Sequence, residues 1–399
     1  MITSDILGRF RASPISGIFA TVQRLRHEGR ELLDLSVGEP DFDTPPHIRE
    51  AGKIAIDRGE TRYTPIDGGI DLKESVRRKF RVENGLDYPL AQIVAGIGAK
   101  PLLAAAVQAI LSPGDEAILS TPCWPSHLGM IELARGRGVK LATGIDTGFK
   151  MTAEQLNRAV GPRTRLVILC SPANPTGAVY DEAELRALAQ VLLAHPQIAI
   201  LSDDLYEHIL FDGRRFHTIA AVEPRLFDRT LTVNGLSKAY AMTGWRIGYA
   251  AGPDQLIKAM VMIQGQQTSG ACTIAQWASV EALNGPQDFI PMSRKVFQER
   301  RDLVVSMLNQ ANGIKCPSPE GAFYVYPSCA GTIGKMAPSG RRIETDEDFV
   351  TELLDAEGVA VVHGSAFGLG PNFRVSYATS TDLLEEACSR IQRFCNSLS

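Results

Sequence analysis

The sequence lacks the patterns that mark membrane-spanning, secreted or nucleic-acid-binding proteins. No stretch approaches the roughly 20 apolar residues that a helix needs to cross a bilayer. The N-terminal segment MITSDILGRFRASPISG has no apolar run with a cleavage site after it. The 41 Lys and Arg residues are scattered along the chain and are balanced by 45 Asp and Glu residues. We therefore expect no membrane partner and no basic surface for nucleic acid.

Cysteine spacing gives no support for a metal site or a disulfide framework. The seven cysteines are an odd number, and none of them forms a CxxC pair. They are Cys123, Cys170, Cys272, Cys316, Cys329, Cys388 and Cys395. Reduced thiols in a cytoplasmic protein are the simplest interpretation, and no metal is expected.

The chain does have enough apolar sequence for a large core. It has 399 residues, 44% of them hydrophobic, which suggests two or three domain-sized units. Short apolar runs predicted as strands alternate with predicted helices; the strands are 93–98, 117–120, 166–170, 198–201, 231–234 and 247–252, and the helices include 102–111 and 181–194. This alternation predicts an α/β fold with a mainly parallel sheet wrapped by helices on both faces.

The pattern changes from Pro291 onward and predicts a smaller α+β domain. A long charged helix is expected at about 292–312; strands follow at 321–327, 359–363 and 373–378, with helices at 346–358 and at the C-terminus. We expect the N-terminal arm to join this domain. The expected division is a large domain over 46–290 and a small one made of 1–45 and 291–399.

A lysine follows one of the predicted strands, in GLSKAYAMTGWRIGY (235–249). In open α/β sheets, ligands bind beyond the carboxyl ends of strands. Desolvation there would lower the pKa of Lys238, and its neutral amine could then form a Schiff base with an aldehyde. Ser237 and Arg246 offer a hydroxyl and a fixed cation suited to a phosphate. The alternative is an ordinary surface lysine in a turn.

An acidic segment, SDDLYEH (202–208), follows another predicted strand. Asp203 at a strand's carboxyl end could face a cationic heterocycle, and the Tyr206 hydroxyl could bond a phenolate-like oxygen. The alternative is a helix N-cap, in which Ser202 or Asp203 accepts hydrogen bonds from free backbone N–H groups.

Three weaker motifs also follow predicted strands. SPANPTGAVY (171–180) carries Asn174 between two prolines, which stiffen the loop and aim the amide. GIGAK (96–100) leads into a helix whose free N–H groups can bind a phosphate, and TPCW offers Trp124 as a plate for a flat ring. Each motif also has an ordinary interpretation: a turn, a strand-to-helix connection and a core tryptophan.

An arginine lies inside the predicted strand FRVSYA (373–378). An unpaired guanidinium there would be costly, so Arg374 should have an anionic partner, either structural or a substrate carboxylate. Bidentate geometry favours the carboxylate where the site is open.

In this order and spacing, the motifs resemble those of the fold-type-I pyridoxal-phosphate-dependent aminotransferases, in the class I/II branch that is similar to aspartate aminotransferase. The resemblance runs from SVGEPDFDTP (36–45) through RYTPIDGG (62–69) to FRVSYATS (373–380). It implies an enzyme whose large domain, 46–290, binds pyridoxal 5'-phosphate.

The resemblance implies a role for each matching residue around the cofactor. Lys238 would hold it as a Schiff base and shuttle a proton between the substrate Cα and the C4' atom. Asp203 would form a salt bridge with the pyridine nitrogen, which lets the ring act as an electron sink. The other implied contacts are Asn174 and Tyr206 with the 3'-oxygen, Trp124 with the ring, and the backbone of Ala99 and Lys100, with Ser237 and Arg246, with the phosphate.

The resemblance also implies where the substrate and a second subunit contribute. Gly38, Asn174 and Arg374 would meet the substrate α-carboxylate, and Trp124 would line the same site. Tyr63 would reach the phosphate in the neighbouring subunit, which implies a homodimer with shared active sites. The implied mechanism is ping-pong: an L-amino acid leaves as its oxo acid, and pyridoxamine phosphate then aminates a second 2-oxo acid such as 2-oxoglutarate.

Several positions near the substrate entrance depart from the family pattern. Lys100 matches a lysine that reaches a distal carboxylate in an acidic-substrate subgroup, but Pro101 replaces the usual glutamine after it. Gly17 lies near the place of a usual threonine, and Cys123 replaces the aromatic residue of PYW. Asp204 stands where glutamate is commoner, a change expected to matter little. The donor therefore stays open among aspartate, glutamate and aromatic or apolar amino acids.

Three functions are compatible with these residues, and transamination is the first. The second is a lyase of the same fold that cleaves a Cβ–S or Cβ–N bond with the same Lys238, Asp203 and Arg374. The third is a ligand-sensing module, as in transcription regulators of this fold. It is disfavoured because the chain has no basic recognition helix and no room for an N-terminal DNA-binding domain.

Overall fold

The computed structural model describes residues 14–399. Residues 1–13, the start of the expected N-terminal arm, lie outside the described part. The α-helices are α1 (Pro14–His27), α2 (Pro46–Asp57), α3 (Ile70–Lys79), α4 (Ala99–Ile110), α5 (Pro125–Leu133), α6 (Ala153–Ala159), α7 (Glu182–Leu193), α8 (Ile219–Val222), α9 (Asp254–Gln267), α10 (Thr273–Asn284), α11 (Phe289–Leu308), α12 (Asp346–Glu357) and α13 (Thr381–Ser397). The strands are β1 (Leu33–Asp34), β2 (Ile93–Gly96), β3 (Glu116–Thr121), β4 (Arg137–Ala142), β5 (Thr164–Cys170), β6 (Ala199–Asp203), β7 (Thr230–Gly235), β8 (Gly248–Ala251), β9 (Tyr324–Val325), β10 (Val359–Ala360), β11 (Val362–His363) and β12 (Phe373–Ser376).

Seven strands form one mixed sheet in the order β2–β8–β7–β6–β5–β3–β4. The neighbouring pairs are parallel except those of β8, which runs antiparallel to both β2 and β7. This confirms the predicted α/β fold with a mainly parallel sheet. Because β3, β5, β6 and β7 run in the same direction, their carboxyl ends share one edge of the sheet, where ligands bind in this class of fold.

Helices cover both faces of this sheet, as the alternation of side chains along β5 shows. Leu166 and Ile168 pack with apolar side chains of α4, α5 and α9, whereas Val167 and Leu169 pack with those of α6, α7 and α8. Another cluster joins β2 and β8 to α2, α3 and α10. Full burial of each such side chain contributes about 1.5–3 kcal/mol, which explains why the central strands are apolar on both faces.

The C-terminal part of the chain forms two small sheets around a separate apolar core. β1 pairs in parallel with β10, and β11, β12 and β9 form an antiparallel sheet. The strand expected at 359–363 is divided at Val361, because β10 and β11 pair with different partners. The long helix expected at about 292–312 is α11, which begins earlier and ends at Leu308. The apolar core of this C-terminal part contains side chains of α11, α12 and α13 together with Leu33 and Leu35.

Helix ends differ in a way that bears on ligand binding. Asp181 caps α7, because its Oδ1 accepts a hydrogen bond of 2.8 Å from the Glu184 N–H while the Glu184 carboxylate accepts one of 2.9 Å from the Asp181 N–H. At the start of α4 the N-cap is Gly98, and no side chain caps the helix. The first N–H groups of α4 therefore stay available to a ligand.

No helix in residues 14–399 is both long and apolar enough to cross a membrane. All seven cysteines are free thiols.

Candidate active site

A cavity of about 280 Å³ opens at the sheet edge where β5, β6 and β7 end. Apart from Tyr63, every predicted site residue lies in its wall: Gly38, Ala99, Lys100, Trp124, Asn174, Asp203, Tyr206, Ser237, Lys238, Arg246 and Arg374. Most of them follow strands of the large sheet, whereas Gly38 and Arg374 come from the regions that build the small sheets. The fold thus gathers side chains that are far apart in the sequence.

Lys238 follows β7 and is held at the cavity wall by one hydrogen bond. Its Nζ donates to the Gly38 carbonyl oxygen at 2.6 Å. Burial lowers the pKa of Lys238 to about 8; Glu39 opposes this shift, and nearby cations including Arg374 add to it. A substantial fraction of the amine is therefore neutral near pH 8, and a neutral amine can act as a nucleophile and as a base.

Asp203, the last residue of β6, is buried and has one carboxylate oxygen unused. Its Oδ2 lies 3.0 Å from Nε2 of His127 on α5, whose side chain is 2% exposed. Its Oδ1 has no hydrogen-bond partner among the described residues. An unpartnered buried acceptor is costly, so Oδ1 marks a place where an N–H donor or a cation of a ligand would bind.

Two tyrosine hydroxyls meet in another part of the wall. The Oη atoms of Tyr206 and Tyr324 are 2.8 Å apart, and both side chains are buried. Burial is the main reason that the pKa of Tyr206 lies well above its usual value. Tyr206 therefore keeps its proton at neutral pH, and it can donate to one acceptor while it accepts from a second group.

Arg374, on β12, is buried with a charge that no described carboxylate neutralises. Its Nη1 donates to Asn174 Oδ1 at 3.0 Å, and its Nη2 donates to the Ser36 carbonyl oxygen at 2.5 Å. Its Nε has no partner in the described part of the chain. A buried cation that contacts only neutral oxygens is suited to bind an anion, and its fork of donors fits a carboxylate.

The start of α4 and Arg246 form the anion-binding end of the cavity. Ala99 is the first residue of the uncapped helix, and Ser237 lies in the same wall. Arg246 is held by a hydrogen bond of 2.7 Å from Nη1 to the Thr243 carbonyl oxygen. Gly98 has φ +98, which favours glycine, and a Cβ atom there would lie 2.4 Å from Arg246 Nη2 and would displace the guanidinium. A helix N-terminus beside a guanidinium suits a phosphate.

Trp124 and Lys100 complete the wall. The Nζ of Lys100 lies 4.8 Å from the centroid of the Trp124 ring, within the range of a cation–π contact. Burial, followed by repulsion from Arg246, lowers the pKa of Lys100. The pair therefore offers a flat aromatic surface and a positive charge to the cavity.

Tyr63 lies apart from the cavity of its own chain. Its side chain is 98% exposed, and it lines a separate surface hollow with Arg62, Cys272 and Ile274. Its expected contact with the phosphate in a neighbouring subunit stays a prediction.

The structure adds residues that the sequence motifs did not single out. Leu103, Cys170, Leu205, Thr243 and Tyr324 also line the cavity, and His127 supports Asp203. Cys170 directly precedes the motif 171–180 and Leu205 lies within the motif 202–208, so the rule that ligands bind at strand ends could have found them. No local pattern distinguishes Tyr324 or His127.

One group of metal-ligating side chains lies outside the cavity. Ligand atoms of Glu83, Glu207 and His208 lie within 4.8 Å of one another. The Lys79 ammonium, however, donates to Glu207 and lies 3.7 Å from Glu83, and Asn84 Nδ2 donates to Glu207 at 2.7 Å. Partners from the protein itself therefore satisfy this group.

Together, the cavity groups suit two kinds of ligand in adjoining positions. The first is a flat ring with a phosphate-like anion, a cationic ring nitrogen for Asp203 and an aldehyde carbon for Lys238. The second carries a carboxylate for Arg374.

Known proteins match this chain both in sequence over almost its whole length and in fold. Residues 30–391 match the family described as "Aminotransferase class I and II". Over 394 residues, 99% of this chain and 98% of the relative, the chain is 58% identical to a probable aspartate/prephenate aminotransferase of Rhizobium leguminosarum bv. phaseoli. It is 55% identical over 396 residues, 99% of each chain, to the aspartate/prephenate aminotransferase of Cereibacter sphaeroides. The crystal structure of the Rhizobium meliloti aspartate aminotransferase matches with a TM-score of 0.98 and 52% identity, covering 100% of both chains.

Proposed function

Because this chain belongs to the class I and II aminotransferase family, we propose that its cavity binds pyridoxal 5'-phosphate and that it transfers the amino group of L-aspartate to a 2-oxo acid. One observation carries the proposal: a single cavity contains both the free Oδ1 of Asp203 and the Lys238 amine with its lowered pKa.

The residues present fit each polar position of that cofactor. Asp203 Oδ1 is the acceptor that a protonated pyridine nitrogen requires. The uncapped start of α4, with Ser237 and Arg246, is the set of donors that a phosphate requires. Asn174 and Tyr206 offer an amide and a hydroxyl for the 3'-oxygen, and burial keeps the hydroxyl protonated.

The cofactor, when bound, supplies an electron sink that makes the substrate Cα–H bond acidic. Lys238 would carry the proton, because its Nζ is neutral in many molecules near pH 8 and can accept it from the substrate Cα. The Gly38 carbonyl oxygen holds that Nζ at the cavity wall. Asp203 would present its free Oδ1 to the ring nitrogen at the far side of the site, with its orientation fixed by His127, and Trp124 would shield the ring from water.

Arg374 and Lys100 are the cations that would recognise a dicarboxylic substrate. Arg374 would take the α-carboxylate through its free Nε and its fork of donors. Lys100 would take the distal carboxylate, since its charge faces the cavity beside Trp124. The names of the relatives include aspartate and prephenate, which supports aspartate as donor and prephenate as an acceptor; 2-oxoglutarate is the acceptor that the family resemblance implies. They all describe aminotransferases, which supports transamination over the lyase alternative.

We propose the same division of the chain that the sequence predicts: a cofactor-binding domain over 46–290 and a small domain from 1–45 and 291–399. The core shared by Leu33, Leu35 and the C-terminal helices supports it. We also propose a homodimer in which Tyr63 reaches the partner's phosphate; its 98% exposure leaves it available for such a contact. The free cysteines support a cytoplasmic location.

The proposed activity can be tested by absorbance. The purified protein is loaded with pyridoxal phosphate, and L-aspartate and then an oxo acid are added. We expect aspartate to remove the absorbance of the Lys238-linked cofactor and 2-oxoglutarate or prephenate to restore it. Lys238→Ala should lack that absorbance and all turnover, whereas Lys258→Ala, at an exposed lysine, should behave as the wild type. Release of ammonia from an amino acid, without accumulation of the amino form of the cofactor, would contradict transamination.

The donor can be tested with a panel of aspartate, glutamate, aromatic and branched-chain amino acids. A preference for dicarboxylates that Lys100→Met removes would support the role of Lys100. Equal use of all donors by the wild type would contradict it without affecting the assignment of Lys238.

A further inference from the structure

Tyr324, on β9, contacts three separate parts of the cavity, although no motif singled it out. Its Oη lies 2.8 Å from the Oη of Tyr206. Its ring centroid lies 4.6 Å from the guanidinium carbon of Arg374. Its hydroxyl also lies against Gly38, whose carbonyl oxygen accepts the hydrogen bond of Lys238. The side chain is fully buried, with 0% exposure, so none of these contacts is shared with bulk water.

The contact with Gly38 is so close that the two residues are sterically matched. A Cβ atom at residue 38 would lie 2.6 Å from Tyr324 Oη but 3.5 Å from Cζ and 3.7 Å from Cε1. The hydroxyl oxygen alone therefore forbids a side chain there, whereas the ring carbons would allow one. Tyr324 is buried and contacts both Tyr206 and Arg374, so a shift of its hydroxyl away from residue 38 would disturb these contacts.

The ring of Tyr324 also carries the arginine that would bind the substrate carboxylate. A guanidinium over an aromatic face is attracted by the ring, more strongly where water is excluded. Phe367 lies on the same guanidinium at 5.1 Å. The two aromatic rings thus help to fix Arg374 while its Nε stays unpartnered.

The contact with Tyr206 affects where the proton of that phenol goes. Each hydroxyl has one proton to donate and can accept as well. When a ligand places an acceptor beside Tyr206, the single proton of the Tyr206 hydroxyl can go either to that acceptor or to Tyr324, but not to both. Tyr324 must then be the donor of the bond between the two hydroxyls. A chain of hydrogen bonds in this direction strengthens the donation by Tyr206.

We propose that Tyr324 is a positioning residue that joins Arg374, Tyr206 and the Gly38 segment into one unit. Its ring packs against the guanidinium of Arg374, which would bind the substrate. Its hydroxyl donates to Tyr206, so that Tyr206 can donate its own proton to a ligand. The same hydroxyl contacts Gly38 and sets the position of the carbonyl oxygen that accepts the hydrogen bond of Lys238. The roles of Arg374 and Tyr206 in this inference rest on the proposed function, whereas the match with Gly38 does not. The competing interpretation is an ordinary core aromatic, since Tyr324 also packs at 4.7 Å from the Phe323 ring.

The steric match is tested by a double-mutant cycle on the cofactor-free protein. Gly38→Ala alone should lower the thermal midpoint, because the new methyl group overlaps the Tyr324 hydroxyl. Gly38→Ala combined with Tyr324→Phe should recover most of that loss, since the remaining ring carbons lie at ordinary contact distances. Additive effects of the two substitutions would overturn the match. This measurement needs neither cofactor nor activity.

The role of the hydroxyl is tested by a pH titration of the absorbance of the bound cofactor. Tyr324→Phe should raise the midpoint, because Tyr206 then donates less strongly to the 3'-oxygen, and Tyr206→Phe should raise it further. Tyr377→Phe is the matched control: this buried tyrosine donates to the Ala322 carbonyl oxygen at 3.2 Å and does not line the cavity. Its midpoint should equal that of the wild type. An unchanged or lowered midpoint in Tyr324→Phe would overturn the proposed direction of the hydrogen bonds.

The role of the ring is tested by comparing two substitutions of the same residue. Tyr324→Phe keeps a ring beneath Arg374 and should change the KM for aspartate little. Tyr324→Leu removes the ring and should raise that KM by about two- to thirtyfold, the range expected from a cation–π contact, with a smaller effect on kcat. Equal KM values in both variants would overturn this role. If wild-type protein binds no pyridoxal phosphate, the proposed function fails while the cycle with Gly38 can still succeed.

Discussion

Asp203 and His127 form a buried pair in which the carboxylate uses only one of its two oxygens. The His127 Nε2 atom lies 3.0 Å from Oδ2, and Oδ1 has no described partner. His127 stands near the start of α5, whereas Asp203 ends β6, so the pair joins the start of a helix to the carboxyl end of a strand. The imidazole fixes the rotation of the carboxylate and leaves the second oxygen directed to a ligand.

We expect Asp203→Asn to lower kcat/KM by about 10²- to 5 × 10³-fold, because loss of a buried charge opposite a cationic partner costs about 3–5 kcal/mol. Steady-state rates with aspartate and 2-oxoglutarate measure this. Asp204→Asn is the matched control, since Asp204 is buried at the next position but does not line the cavity. It should change kcat/KM less than tenfold. Equal losses in both variants would show that any polar change at this strand end disturbs the enzyme.

Lys238 should make the cofactor-free protein less stable at neutral pH. Its pKa is lowered from 10.5 to about 8 by burial, so the folded state disfavours the protonated amine. This cost is complete below pH 8 and disappears as the pH rises from about 8 toward 10.5. Lys238→Met should therefore raise the free energy of unfolding by about 1–3 kcal/mol at pH 7, a gain that is mostly lost at pH 10 and is absent above pH 10.5.

Urea unfolding of both proteins at pH 7 and pH 10 measures this difference. Lys258→Met, at an exposed position, should show no gain at either pH. A gain of the same size at both pH values would mean that Met packs better, independently of charge.

Arg374→Lys should weaken substrate binding while the bound cofactor keeps its absorbance. Lysine retains the charge but loses the fork of donors, so the KM for aspartate should rise by about 10- to 100-fold, the range for a lost charged hydrogen bond. Arg300→Lys is the control: Arg300 forms a bidentate pair with Asp41 at 2.7 and 2.8 Å and does not line the cavity. It should lower stability without changing the KM. A wild-type preference for amines that lack a carboxylate would disprove the role of Arg374.

Gly98→Ala should weaken cofactor binding in addition to destabilising the fold, because φ +98 and ψ 166 at this position suit only glycine. The added methyl group would lie 2.4 Å from Arg246 Nη2 and would displace the guanidinium from the start of α4. We expect the Kd for pyridoxal phosphate to rise at least tenfold, about 1.4 kcal/mol. Gly59→Ala is also at a positive φ, +73, but has nothing within 4 Å of the added Cβ. It should cost about 1 kcal/mol of stability and leave the Kd unchanged; equal Kd values in the two variants would contradict the steric argument.

The large sheet was predictable because its central strands are continuous apolar runs. The edge strand β4 was not predicted, since Arg137 and Lys140 interrupt its apolar pattern, as is usual for strands at a sheet edge. The split of 359–363 into β10 and β11 was not predictable either, because all of its residues suit a strand and only the pairing partners divide it. Local pattern thus predicts that a strand exists, and tertiary pairing decides where it ends.

The site was predictable where its residues follow strands in recognisable motifs, as Lys238 and Asp203 do. His127 and Tyr324 were missed for a physical reason: they act through contacts with residues distant in the sequence. His127 meets Asp203 across 76 positions, and Tyr324 meets Tyr206 across 118. Such contacts depend on packing between elements, which no local spacing encodes.

The single reversed strand of the large sheet has a consequence for how this enzyme can change. The segment that carries Ser237, Lys238 and Arg246 leaves the sheet at Gly235 and rejoins it at Gly248, and these two glycines are direct ladder partners. The two ends of this loop are therefore fixed next to each other by one residue pair of the sheet. Because Leu236, Tyr240 and Met242 of this loop are buried in the core that also contains β2 and β8, the amine and the guanidinium are held in a fixed relation, and an insertion or deletion here would disturb the site and the core together.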